Sequence, residues 1–174
     1  MKDHRKILGF GKQIEYRIMG VLLKKGFEVY APLIDDDAID LIIKKSNGTF
    51  IEIQIKARSK AVALGAGARF SMIFHKKRKN YFFVFHSERL NTFWIMSSEE
   101  FIKNSTQNKT GKHIGTRNIN LTGKQTDVSF ETSLSRRSFL AKGEAKKDKK
   151  TGKRSEYVYE RFKKYITKDF SRFK

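Results

Sequence analysis

The stretch IEIQIKARSK at 51–60 puts Glu52, Gln54 and Lys56 on one face of an extended chain and Ile51, Ile53 and Ile55 on the other. A carboxylate, an amide and an ammonium in one row fit two descriptions. They are the wet side of a half-buried strand, or a surface that holds a divalent cation against a phosphate. Asp40 bears on the choice, because it stands between Ile39 and Leu41 at the head of another apolar run. The chain carries 38 Lys and Arg against 18 Asp and Glu, a formal net charge of +20. On a basic surface that meets a polyanion, a carboxylate repels phosphate unless a cation bridges the two, so Asp40 points to Mg²⁺. The neighbouring Asp35, Asp36 and Asp37 are assigned to turn capping.

The elements that must position these groups can be read from periodicity. Residues 11–25 form an amphipathic helix with Ile14, Ile18, Val21 and Leu22 on its apolar stripe and Gly26 as its stop. FEVYAP is a first short strand, 39–44 and 50–57 are a hairpin around KSNGT, and YFFVFH (81–86) and TFWIM (92–96) are two more strands. SSEEFIK then opens a helix that Ser97 or Ser98 can cap. In the hairpin, a two-residue Asn47-Gly48 loop would set Asp40 across from Ile55, on the wrong face. A three-residue loop, Ser46-Asn47-Gly48, makes opposite positions sum to 94 and sets Asp40 across from Gln54. The second register is the one that builds a site.

Charge and composition limit the function. The excess of +20 is most readily offset by nucleic acid, through counterion release. With no cysteine and four scattered histidines, the chain has no disulfide, no thiolate zinc site and no thiol nucleophile, so any metal it uses is a hard one. No segment reaches the length of a membrane span, and the start lacks the apolar run of a secretion signal. A DNA-associated protein of the cytoplasm, with no membrane partner, is the expectation. The 15 phenylalanines mark a chain with a real core, and the 174 residues are expected to form one domain. Trp94 and Phe82, Phe83 and Phe85 are assigned to that core.

With these residues in view, the sequence resembles the PD-(D/E)XK nuclease superfamily, the restriction-endonuclease-like fold. That pattern has an acid at the start of one hairpin strand, (D/E)-x-K on the next, and often a Glu on the preceding helix. Here the first acid falls on Asp40, the x-K on Gln54-Ile55-Lys56 and the helical acid on Glu15 in GFGKQIEYRIMG. The match covers residues 9 to about 60 and the order of the strands to 96. Two departures stand out: Ala38-Ile39-Asp40 replaces Pro-Asp, and Gln54 occupies the place of the second acid. The resemblance implies an α/β fold leaning to α+β, with a central mixed β-sheet flanked by helices. It implies Mg²⁺, with Mn²⁺ as a substitute, held by Asp40 with Gln54 or Glu52. Glu15 would serve a second metal or its water shell, and Lys56 would act on the attacking water or on the charge at phosphorus.

A nuclease on double-stranded DNA follows, with 1–103 as catalytic core. Arg58 and Lys60 would touch the phosphates beside the cut, Lys76, Lys77 and Arg78 would form a second phosphate track, and Lys112 in GKHIG would add another contact. Residues 104–127 are a long loop or a pair of short strands, with Ile119 and Leu121 inward, and 104–150 as a whole are read as DNA-recognition loops whose amides and cations suit base edges. From Arg136 onward 15 Lys and Arg meet 5 acids, half of the net charge. Arg136, Arg137, Lys153 and Arg154 are DNA contacts on this reading, and 151–174 is a basic C-terminal helix docked through Tyr157, Phe162 and Tyr165. A type II restriction endonuclease working as a homodimer is the first expectation. A Holliday junction resolvase or repair nuclease comes next, and a catalytically inactive DNA-binding domain is the reading of another class.

Overall fold

Alternation along the strands sorts the apolar side chains into two cores, one on each face of a sheet. The computed structural model describes residues 4–34, 37–126 and 154–173. Helix α1 (His4–Lys24) buries Ile14, Ile18 and Leu22, one turn apart, and ends at Gly26, whose φ of +80° suits glycine alone. It packs on a six-stranded sheet made, in spatial order, of β1 (Glu28–Tyr30), β2 (Leu41–Lys44), β3 (Phe50–Arg58), β5 (Tyr81–Ser87), β6 (Thr92–Ser97) and β11 (Ile166–Thr167). β3 and β5 run parallel and every other neighbouring pair is antiparallel, so the central sheet is mixed. Leu41, Ile43, Ile51, Ile53, Val84 and Ile95 face α1.

The opposite face carries Tyr81, Phe83, Phe85, Trp94 and Met96. It is covered by helix α2 (Ser98–Asn104) and by a second, antiparallel sheet of order β4 (Arg69–Phe74), β8 (Thr116–Asn120), β7 (Thr106–Gln107). Phe70, Ile73, Phe101, Ile119 and Leu121 fill this core, the last two as expected. Ser97 caps α2 in a reciprocal pair: its hydroxyl accepts the Glu100 N–H at 3.2 Å and the Glu100 carboxylate accepts the Ser97 N–H at 2.8 Å.

The β2–β3 hairpin has the expected register. Leu41 pairs with Ile53, Ile42 with Glu52 and Ile43 with Ile51, so opposite numbers sum to 94. The Lys45 N–H donates to Thr49 O at 2.8 Å and the Gly48 N–H to Lys45 O at 2.9 Å, leaving Ser46-Asn47-Gly48 as the loop. Gly48 takes φ +80°, the left-handed residue that closes such a loop.

The C-terminal segment departs from the expected helix over 151–174. Strand β10 (Arg154–Val158) pairs antiparallel with β9 (Thr122–Thr126), a single helical turn α3 (Glu160–Lys163) follows, and β11 then closes the main sheet against β6 before a 3₁₀ turn at Ser171–Phe173. The anchors are real, since Phe162 and Tyr165 are buried, but Tyr157 stays 44% exposed on its strand. The free edge of β9 takes up residues 154–158, and that long-range pairing outweighs local helical spacing. No helix among the described residues is long and apolar enough to cross a membrane.

Candidate active site

Asp40 is fixed to β3 by two hydrogen bonds. Its N–H donates to Ile53 O at 2.8 Å, and its Oδ2 accepts the Ile55 N–H at 2.6 Å. The hairpin register carried one step beyond Leu41 sets it across from Gln54. Gln54 is 5% exposed, on the face shared with Phe83 and Phe85, because β3 and β5 pair Gln54 with Phe83 and Lys56 with Phe85. A cleft of about 340 Å³ opens on this face, with Gln54, Lys56 and Arg58 on one wall and Ser71, Met72 and Phe74 of β4 on the other. Lys56 is partly exposed there and can reach an anion in the cleft.

Glu15 lies on α1 with its side chain 16% exposed and accepts a hydrogen bond from Lys12 Nζ at 2.6 Å. The pKa of Lys12 is raised, chiefly by that hydrogen bond and in part by the charges of Glu15 and Asp40. The charges of both carboxylates therefore favour the protonated form of one ammonium on α1. Among the described residues no three His, Cys, Asp or Glu side chains converge as metal ligands.

Glu52 shares the strand face with Gln54 but not the cleft. Its Oε2 meets Arg78 Nη2 at 2.5 Å, and Arg78 also donates to Asp37 O at 3.0 Å and lies over the Tyr81 ring, 4.5 Å from its centroid. Glu52 and Arg78 thus hold the β2 approach to the start of β5. Arg58 donates through Nε to Arg69 O at 2.7 Å and stacks over Phe70, while the Lys60 side chain is exposed. Lys76 is exposed, Lys77 pairs with Glu99 at 3.2 Å, and Lys112 lies in the exposed turn before β8. Asp35, Asp36, Arg136, Arg137 and Lys153, and the side chain of Arg154, lie outside the described residues.

A profile of the PD-(D/E)XK endonuclease family matches residues 8–124, which include most of α1, the hairpin and the whole cleft. The chain belongs to that family. A solved bacterial homing endonuclease, I-Ssp6803I, is 20% identical over 62% of this chain and 85% of its own, with a TM-score of 0.41. No curated protein matches the chain.

Sequence reading left out two parts of this site. Lys12, which bonds Glu15 one turn along α1 at 2.6 Å, gives no motif signal. The β4 wall is hidden by a bulge: Phe70 pairs with Ile119 and Ile73 with Arg117, so Ser71 and Met72 together face Asn118. The bulge brings Phe70 and Ile73, three apart, onto one face, and RFSMIF loses the period of two that marks a strand.

Proposed function

We propose that this chain is a Mg²⁺-dependent endonuclease that hydrolyses phosphodiester bonds in double-stranded DNA, most in keeping with a type II restriction enzyme that acts as a homodimer. One observation carries the reading. A buried amide and a lysine line one basic cleft, and a carboxylate is bonded to the same strand directly across from the amide.

The donor chemistry fits the metal. Asp40 and the Gln54 amide offer hard oxygens, and Mg²⁺ typically takes only one or two carboxylates, keeping its waters and a substrate phosphate for the other positions. Asp40 and Gln54 would hold the ion, with Mn²⁺ as a substitute, and Glu15 would serve its water shell. Glu52, committed to Arg78, is the weaker candidate. When bound, the ion polarises the phosphate and acidifies a water. Lys56 supplies a compact positive charge that orients the attacking water or offsets the charge gathering on phosphorus. Arg58 and Lys60, just past it, hold the flanking backbone without reading sequence.

The sparse carboxylate set favours one second reading, a nuclease fold that binds DNA without cutting it. Supercoiled plasmid, phage DNA and a four-way junction, each incubated with Mg²⁺ or Mn²⁺, separate the cases. Discrete bands that vanish in Lys56→Ala support a restriction enzyme, and cleavage of the junction alone supports a resolvase. Inactivity on every substrate with either metal leaves binding as the function.

A further inference from the structure

Beyond the catalytic face, the cleft has a second wall whose shape the fold itself does not require. Met72 sits in the β4 bulge at φ +58°, a conformation costly for a side chain that is neither glycine nor asparagine. It is held there by Asn118, whose Oδ1 accepts the Met72 N–H at 3.0 Å, and Asn118 Nδ2 donates in turn to Asn108 Oδ1 at 2.9 Å. The bulge lets Phe70 and Ile73 both reach the core, and a glycine at 72 would serve that end without strain. Met72 is instead 58% exposed, and Phe74, two residues on, is 67% exposed. Both line the cleft that contains Gln54, Lys56 and Arg58. Ala38, at φ +55°, lines the same cleft, so two strained non-glycine residues border it.

Exposed apolar side chains at the rim of a cleft that holds a lysine and an arginine, on a chain of +20, fit one occupant better than others, a polyanion that also has apolar faces. Phosphates answer the cations and stacked bases answer the methionine and phenylalanine. Resting on the nuclease reading, we propose that Met72 and Phe74 form a wedge that enters duplex DNA at a base step beside the scissile phosphate, partly unstacking it and turning that phosphate toward Lys56. Proteins that insert apolar side chains in this way kink the duplex and spend unstacking energy to gain contact area. Pyrimidine–purine steps open most readily and A-tracts resist, so the wedge also sets a preference for flexible steps without any hydrogen bond to a base.

The test uses short duplexes with 2-aminopurine either in a TA step or within an A-tract, titrated with the full chain in EDTA while anisotropy reports binding. A rise in fluorescence of about twofold or more at the TA step, smaller in the A-tract, is expected on saturation. It should be lost in Met72→Gly, which keeps the backbone conformation, and in Phe74→Ser, with affinity down about five- to tenfold in each. Saturable binding without the rise, or a rise unchanged in both variants, overturns the wedge and leaves the nuclease reading standing. A rise that depends on both residues, in a protein that cuts nothing with Mg²⁺ or Mn²⁺, supports the wedge and removes the nuclease reading. Absence of DNA binding by the unmodified chain overturns both.

Discussion

Asp40→Asn separates the charge of this carboxylate from its place in the fold. Oδ2 accepts the Ile55 N–H at 2.6 Å, and an asparagine in the same rotamer offers a carbonyl oxygen to the same donor. The charge-assisted share of that bond is lost, about 1 kcal/mol, or roughly 2–4 °C in Tm for a chain of this size, along with a weak attraction to Lys12. The main-chain bond from Asp40 to Ile53 O is untouched. Cleavage should fall by about 10³-fold or more, since the site loses its strongest anchor for a cation. Binding in EDTA should move the other way. A phosphate about 6 Å from the removed charge, in a water-like dielectric, gains about 0.7 kcal/mol, close to a threefold tighter Kd at low salt. Plasmid nicking assays, anisotropy in EDTA and thermal unfolding of the same preparation measure the three effects together. A variant that still cuts within about tenfold of the parent, or that binds metal-free DNA more weakly while folded, refutes the assignment.

Gln54→Glu restores the charge usual at this position and should lower the Mg²⁺ concentration for half-maximal cleavage by about three- to tenfold, as metal titrations would show. Glu52→Gln breaks an ion pair with Arg78 that is about one-third exposed, so it should cost about 1 kcal/mol in urea unfolding and leave cleavage within about threefold; abolished cleavage would instead make Glu52 a ligand. Phe162→Ala opens a hole under a fully buried ring and should cost about 3–5 kcal/mol, whereas a merely appended basic arm would lose DNA affinity and keep its Tm. Burial, with Arg78 and Arg117 adding to it, pushes the His75 pKa down to about 4. The unfolded chain takes up this proton near pH 6.5 and the folded chain only near 4, so stability should fall by roughly 1–2 kcal/mol as pH drops across that window. His75→Gln should flatten the slope between urea midpoints at pH 7.5 and 5.

The parts of this molecule that were legible in its sequence are those set by neighbours. The hairpin register follows from a side-chain period of two and from a glycine able to take φ +80°, and both act within about a dozen residues. Helix α2 is marked by its own capping residues. What escaped depends on distant partners. The ion pair of Glu52 with Arg78, 26 residues on, leaves no mark in the sequence around either residue. β4 is masked because its bulge breaks the alternation that a strand displays. At the C-terminus, Phe162 and Tyr165 do lie three apart on a buried face, but residues 154–158 are taken up by β9. Local spacing carries no trace of that pairing.

On the proposed reading, Asp40 and Gln54 form one cation site beside Lys56. An anomalous difference map from a crystal soaked in Mn²⁺ tests it most directly. One peak is expected within about 2.0–2.3 Å of an Asp40 carboxylate oxygen and the Gln54 amide oxygen. A peak on Glu52 away from Asp40, or no peak at Asp40 in a crystal whose protein cuts DNA with Mn²⁺, would contradict it.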